Sequence, residues 1–424
     1  MLDIKFIRQN PEKVKEGVRK KGYDVNVDLL LSMDKKKRDL ISQLEKIFAQ
    51  KNQASKKISL LKNEEEKKKI ILEMKELDKN SDKLKNELKE IEAKFKELML
   101  QLPNLPFDHV PIGKDEKDNV VLKKVGKLPK FNFKIKDYLE IAEELDLIDI
   151  QRAAKISGSR FGFLKNELVL MEFALVNFVF ENLLKYNFIP VIPPVMLKEE
   201  MARGTGYFEA TDKSEAYFIP ADNLYLIGTS EQSLIAMHAN EIFEEKDLPK
   251  RYLAFSTCFR REAGSYGKDT RGILRVHQFD KIEMVIFCKP EDSKKEHQLL
   301  LELEEKLMKL LKIPYQVVQI CTGDLGRPAA EKYDIEAWMP SESRYRETHS
   351  NSNCTDFQSR RLNIRYRQKS GKLEFVHTLN GTALAIGRTL IMLLENYQQK
   401  DGSVKIPKVL EKYLHFKIIK KRRI

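Results

Sequence analysis

Between Leu30 and Leu98 apolar residues recur at alternating three- and four-residue steps with no glycine or proline among them, and few folds accept that pattern. Positions 30, 33, 37, 40, 44, 47, 51, 54, 58 and 61 read Leu, Met, Lys, Leu, Leu, Ile, Lys, Ala, Ile and Leu, so only Lys37 and Lys51 break the frame. After residues 62–69 the frame returns at Ile70, Met74, Leu77, Ser81, Leu84, Leu88, Ile91, Phe95 and Leu98. A seam repeating every 3.5 residues, flanked by Lys and Glu, is buried by a second helix. Two such helices across a short polar break predict an antiparallel hairpin with arms roughly 50 Å long. Its lysines either keep the arm soluble or grip protein or RNA, and composition does not choose between these.

Pro103, Pro106 and Pro111 end the helical material and mark a linker. Past residue 125 aromatic residues, glycines and β-branched runs appear, as a mixed α+β domain requires. The expected division is a helical arm over 1–105 with its hairpin near 27–100, a linker over 106–125, and a mixed domain over 126–424. Within that domain residues 133–149 and the apolar run 168–186 read as helices. So does the run after Gly387. The last eight residues, KIIKKRRI, read as a solvated basic tail or an auxiliary RNA contact.

The net charge of +13 favours an anionic partner, of which nucleic acid is the commonest. Cys258, Cys288, Cys321 and Cys354 lie far apart with no C-x-x-C pair. That argues against a disulfide scaffold or a cysteine zinc site and suits a reducing cytoplasm. The first residues carry acids and lack an apolar signal core. The run around Glu172, Asn177 and Glu181 is too interrupted to cross a membrane.

The densest chemistry lies in FRREAGSYGKDTRGILRVHQFDKIE, residues 259–283. It is no P-loop: Gly264 and Gly267 are too close, and Lys268 is followed by Asp269. Residues 252–262 and 273–288 read as two strands of a hairpin around a loop over 262–273. Alternation then places Arg260 and Glu262 on one face, opposite Leu253, Phe255, Thr257 and Phe259. On the return strand Arg275, Phe279 and Glu283 share a parity at about 13 Å per step. One sheet face would thus offer a guanidinium, a ring and a carboxylate at the spacing of a nucleotide joined to a small cation.

Arg260-x-Glu262 followed by Arg275-x-x-x-Phe279-x-x-x-Glu283 resembles motif 2 of the class II aminoacyl-tRNA synthetases. Asn187-Phe188 with Pro194 resembles motif 1, with Asn in place of the usual glycine; Asn tolerates left-handed backbone. Arg388, opening a helix after a small-residue strand, resembles motif 3. The class I signatures H-x-G-H and K-M-S-K-S are absent. Thr229-Ser230-Glu231, the loop GSYGKDTRGILRVHQFDKIE and the strand ETHSNSNCTDFQSRR resemble the seryl-tRNA synthetase family over essentially the whole chain.

The resemblance implies an antiparallel sheet flanked by helices, an N-terminal arm that binds tRNA, and a homodimer formed through motif 1. It implies a reaction in which serine attacks the α-phosphorus of ATP and the seryl group then passes to the 3′ end of tRNA(Ser), and of tRNA(Sec) where that exists. Arg260, Glu262, Arg275 and Arg388 are the implied catalytic residues. Arg260, Arg261, Glu262, Val276, Phe279, Glu347, Thr348, His349, Ser350 and Arg388 would meet ATP, with Phe279 under adenine. Thr229, Ser230, Glu231, Arg260, Glu283, Asn380 and Thr382 would hold serine. Glu347 and Ser350 would hold Mg²⁺, an ion suited to oxygen donors. His349 stands where serine is common and reads as a backbone-contact position, since no second His or Cys lies at ligand spacing. Trp338 and His109, His238, His277, His297, His377 and His415 read as packing or surface residues. No editing domain is evident. Two other readings fit parts of the pattern: a relative that charges a carrier protein, for which the long arm is superfluous, and an inactive RNA-binding paralogue, for which the intact motif residues are.

Overall fold

The computed structural model describes residues 1–208, 214–263 and 271–422. These residues form two compact units. One comprises 2–19 and 23–103; the other comprises Met1, 20–22 and 104–424.

Four helices build the first unit: α1 (Ile4–Gln9), α2 (Pro11–Lys20), α3 (Val27–Leu60) and α4 (Glu64–Gln101). The Asn26 side chain accepts from the Leu29 amide and caps α3. Residues 62–69 were expected to be a polar break, yet α4 already begins at Glu64. Asn63 accepts from the Glu65 amide, and Glu64, Glu65 and Glu66 place negative charge at the positive helix end. The pair is antiparallel: Lys36 meets Glu87 at 2.7 Å and Lys37 meets Glu92 at 3.0 Å, while Lys51, farther along α3, pairs with Asp78. The two lysines that interrupt the heptads are therefore each matched by a carboxylate on α4. Lys37 also lies 5.5 Å from the Phe95 ring.

The second unit centres on an eight-stranded sheet. Its strands are β1 (Val120–Val125), β2 (Phe188–Val191), β3 (Lys250–Phe259), β4 (Gln278–Cys288), β5 (Tyr315–Gln319), β6 (Glu331–Met339), β7 (Arg344–Asn353) and β8 (His377–Ala385). Their spatial order is β1-β5-β6-β7-β8-β4-β3-β2. Every pair is antiparallel except β2 with β3. Helices α5 (Tyr138–Glu144), α6 (Ile150–Ser157), α7 (Glu167–Leu183), α8 (Glu199–Thr205), α9 (Ser230–Ala236), α10 (Ser293–Leu311), α11 (Phe357–Leu362) and α12 (Ile386–Asn396) complete it. Leu175 and Phe178 of α7, Leu300 and Leu307 of α10, and Leu390 and Leu393 of α12 share one buried cluster with Leu253, Ile282, Met284 and Ile335 of the sheet.

Several expectations need correction. The segment 106–125 is no free linker: Val110 is buried with Val318, Ile320 and Leu325, Phe107 packs beside them, and β1 closes the sheet edge. The helix expected over 133–149 is only α5, because Leu145 caps it, Asp146 turns the chain at φ 55° and Ile148–Asp149 pairs with Phe163–Leu164. The basic tail is partly fastened, with Ile418–Ile419 pairing Val404–Lys405 and Arg422 meeting Glu167 at 3.1 Å. Asn187 adopts left-handed backbone, φ 62° and ψ 32°, which is the conformation its place in motif 1 demands. Among the described residues no helix is long and apolar enough to cross a membrane.

Candidate active site

β3 ends at Phe259 and β4 begins at Gln278, so Arg260, Glu262, Arg275 and Val276 lie beyond the ladder, and strand alternation does not place them. Both faces of β3 are covered, and the expected split into a buried and a presented face does not hold. Instead the chain is tied by Arg260 N–H to the His277 carbonyl at 3.0 Å and bends at Glu262, φ 51°. That bend brings the Glu262 carboxylate to Arg275 Nη1 at 3.4 Å. Arg260 Nε donates to the Gly228 carbonyl at 3.1 Å, and its guanidinium lies 5.3 Å from the Phe279 ring centre. His277 holds the Arg260 carbonyl at 2.9 Å, a packing role as expected. Residues 264–270, the centre of the quoted loop, lie outside the described residues.

These groups open onto a cavity of about 270 Å³. Thr229, Glu231, Arg260, Glu262, Arg275 and Val276 line it, as do Phe279, Glu283, Glu347, Thr348, Ser350, Asn380, Thr382 and Arg388. Arg261, Ser230 and His349 do not. Arg261 is exposed, and Ser230 is fully buried in the first turn of α9. A bulge explains His349: β6 residues 335 and 336 face 349 and 347, so Thr348 is the extra residue of β7. Glu347 thereby joins Ser350 and Ser352 on the cavity side, while His349 is 1 % exposed and bonds Thr348 Oγ1. Burial pushes its imidazole down to about 4, so it is neutral at physiological pH.

At one end lies a carboxylate pocket. Thr229 caps α9, and in the first turn Glu231, 2 % exposed, accepts from Gln358 Nε2 at 2.8 Å, Asn380 Nδ2 at 3.0 Å and the Tyr207 hydroxyl at 2.7 Å. Burial, reinforced by Glu283, pushes Glu231 up to about 7. Glu283 pairs with Lys281 at 2.5 Å and accepts from Thr382 Oγ1 at 3.4 Å. On β8, Asn380 and Thr382 face the cavity, and Gly381 between them faces α10. A side chain there would come within 2.9 Å of Glu304 Oε1.

The other end is cationic. Arg388, in the first turn of α12, donates to the Glu347 carbonyl oxygen at 2.8 Å and meets its carboxylate at 3.3 Å. Desolvation by the surrounding cavity wall would raise Glu347, whose side chain is 44 % exposed, but Arg388, Lys332 and Arg260 outweigh it and hold the carboxyl at about 2.

Sequence reasoning missed Lys281, Lys332, Tyr207, Ser352 and the Gly326–Ala329 wall. Lys281 was within reach, since it shares the parity of Phe279 and Glu283. Ser352 was too, since it shares the parity of Ser350 on one strand, whereas Lys332, Tyr207 and the Gly326–Ala329 wall come from distant segments and carry no local signal.

The model of the seryl-tRNA synthetase N-terminal domain matches residues 1–106, and that of the tRNA synthetase class II core domain (G, H, P, S and T) matches residues 217–397. A serine–tRNA ligase of Dictyoglomus turgidum is 46 % identical over 426 residues, covering 100 % of both chains. The chain belongs to the seryl-tRNA synthetase family. Its activity is therefore that of an ATP-dependent class II aminoacyl-tRNA synthetase, a serine–tRNA ligase. The seryl-tRNA synthetase from Pyrococcus horikoshii complexed with ATP superposes with a TM-score of 0.93 at 41 % identity, covering 100 % of each chain. The cytoplasmic enzyme from Naegleria fowleri in complex with AMP gives 0.87 at 34 %, covering 100 % of this chain and 99 % of that one.

Proposed function

We propose that this cavity holds ATP and L-serine side by side and joins them as seryl-adenylate. The observation that carries this reading is that one cavity brings together two charge clusters and a ring: Arg388, Lys332 and Arg260 act jointly on Glu347, Glu231 and Glu283 act on each other, and the Phe279 ring lies beside Arg260.

Adenine stacks on Phe279, and the guanidinium forks take phosphate oxygens. The serine ammonium meets Glu231, and its hydroxyl reaches Thr382, Asn380 and Glu283. Arg260, anchored by Gly228, holds the serine carboxylate against the α-phosphate. One carboxylate oxygen bonds to the α-phosphorus as the bond to the bridging β-phosphate oxygen breaks, and pyrophosphate leaves. A terminal ribose hydroxyl of tRNA then attacks the seryl carbonyl carbon, and AMP leaves. The protein supplies alignment and charge stabilisation, with no covalent intermediate of its own. A pocket built to bond a hydroxyl leaves buried groups unpaired with alanine, which supports discrimination of about 10⁴ without editing.

The donors fit Mg²⁺. Glu347 stays ionised and Ser350 lies beside it, an oxygen pair matching an ion that keeps waters and phosphates as its other ligands. When bound, that ion neutralises phosphate charge.

The α3–α4 arm is the grip on tRNA, a reading supported by its lysine-rich surface and its family match. A homodimer through the α7–β2 face is supported by Phe173 and Ile192, which are 59 % and 82 % exposed. Four buried free cysteines support a reducing, cytoplasmic setting. The test is exchange of labelled pyrophosphate into ATP driven by serine, followed by charging of tRNA. Exchange with no charging would point to a carrier-protein ligase, and no exchange would leave only an RNA-binding module.

A further inference from the structure

Part of the cavity wall is held from behind by residues that do not line it. Gly326, Pro328 and Ala329 line the cavity within a segment, 326–329, that belongs to neither β5 nor β6. Within it only the Gly326 carbonyl accepts an internal bond, from the Ala329 amide at 3.2 Å, and the other carbonyls take their partners from elsewhere. The Lys21 ammonium donates to the carbonyls of Gly326 at 2.7 Å, Arg327 at 3.1 Å and Ala329 at 2.8 Å. Asn104 supplies the remainder: its Nδ2 donates to the Pro328 carbonyl at 2.9 Å and its backbone N–H to that of Arg327 at 2.9 Å. Four successive carbonyls are thus taken by two residues, 3 % and 4 % exposed, that bracket the helical hairpin in sequence.

An ammonium has three N–H donors, and here all three are used. Burial pushes Lys21 down to about 7, with Arg327 acting in the same direction and Cys354 against it, while the three carbonyls are partners that suit the ammonium form. The clasp also reaches the carboxylate pocket. Asn104 Nδ2 lies 2.9 Å from the Cys354 carbonyl; the Cys354 sulfur lies 3.7 Å from Asn380 Nδ2, which donates to Glu231.

We infer that Lys21 and Asn104 are positioning residues for the serine end of the cavity, clamping the 326–329 wall and the Cys354–Asn380 contact so that the amino-acid pocket is formed before serine arrives. This rests on the cavity being the serine-activating site. Neither residue touches the reacting atoms. Loss of the clasp therefore acts on serine and spares ATP, whose cationic subsite lies at the other end.

The experiment is serine-driven pyrophosphate exchange on the full chain, with KM measured separately for serine and ATP. Lys21→Met should raise the KM for serine about tenfold or more, as expected when buried carbonyls lose their donors, with the KM for ATP within about twofold. Lys21→Arg, which retains charge and donors, should recover most of that loss. Asn104→Ala keeps the backbone bond and should raise the serine KM about threefold. Should Lys21→Met fail to fold, Asn104→Ala decides. A serine KM unchanged in these variants, or a parallel rise for ATP, overturns the inference. Absence of exchange in the unaltered protein would instead strike at the adenylation reading, so the two failures are distinguishable.

Discussion

The helical arm and the catalytic unit solve the problem of burial in opposite ways. In the arm Leu30, Leu40, Leu44 and Ile47 are buried near the base of α3, but from residue 48 to residue 80 no residue is buried. Leu60 and Leu72 are 83 % and 63 % exposed. The far part of the hairpin depends on helix propensity and on ion pairs such as Lys51–Asp78, which are weak in water. The catalytic unit buries β4 almost completely, charged Lys281 and Glu283 included. A surface proposed to grip a long polyanion can be loosely held, whereas a cavity proposed to align two substrates cannot.

That contrast can be broken at either end. The largest expected effect is at the cavity: Arg260→Ala should lower exchange by about 10³-fold or more while leaving tRNA binding intact. Near-normal exchange would remove its assigned role. Next, deleting residues 30–100 should lower tRNA charging about 10²-fold, through loss of lysine–phosphate contacts, and leave exchange within about twofold. Unimpaired charging would show that the arm is not the grip.

A third test sharpens the electrostatics. A Glu231 carboxyl at about 7 is mostly protonated at pH 6 and mostly ionised at pH 8, and the serine ammonium binds the ionised form. The KM for serine should therefore fall about tenfold between those values, and Glu231→Gln should flatten the profile. A flat profile in the unaltered protein contradicts the assignment. The smallest effect belongs to the arm: Leu44→Ala should cost the hairpin about 3 kcal/mol, seen as faster hydrogen exchange in α3 and α4, with pyrophosphate exchange unchanged.

What could be read from the sequence follows the same division. Heptad spacing is local, so the hairpin was legible down to its two odd lysines, although their partners Glu92 and Asp78 were not. Phe279 and Glu283 were legible because one strand carries both. Arg260, Glu262 and Arg275 were found by motif but misplaced by alternation, since the chain leaves the ladder at Phe259 and bends at Glu262. The bulge at Thr348 hides His349 behind the cavity, and no pattern in a single strand announces a bulge set by its neighbour. Lys332 and Tyr207 depend on long-range folding and had no signature.

The central claim is that one cavity pairs an ATP subsite with a pocket made for a small hydroxylated amino acid. It is tested most directly by pyrophosphate exchange on the full chain, without tRNA, across serine, threonine and alanine. Strong exchange with serine, at least about 10³-fold above alanine, is the predicted result. Equal exchange with alanine, or none with serine, would contradict it.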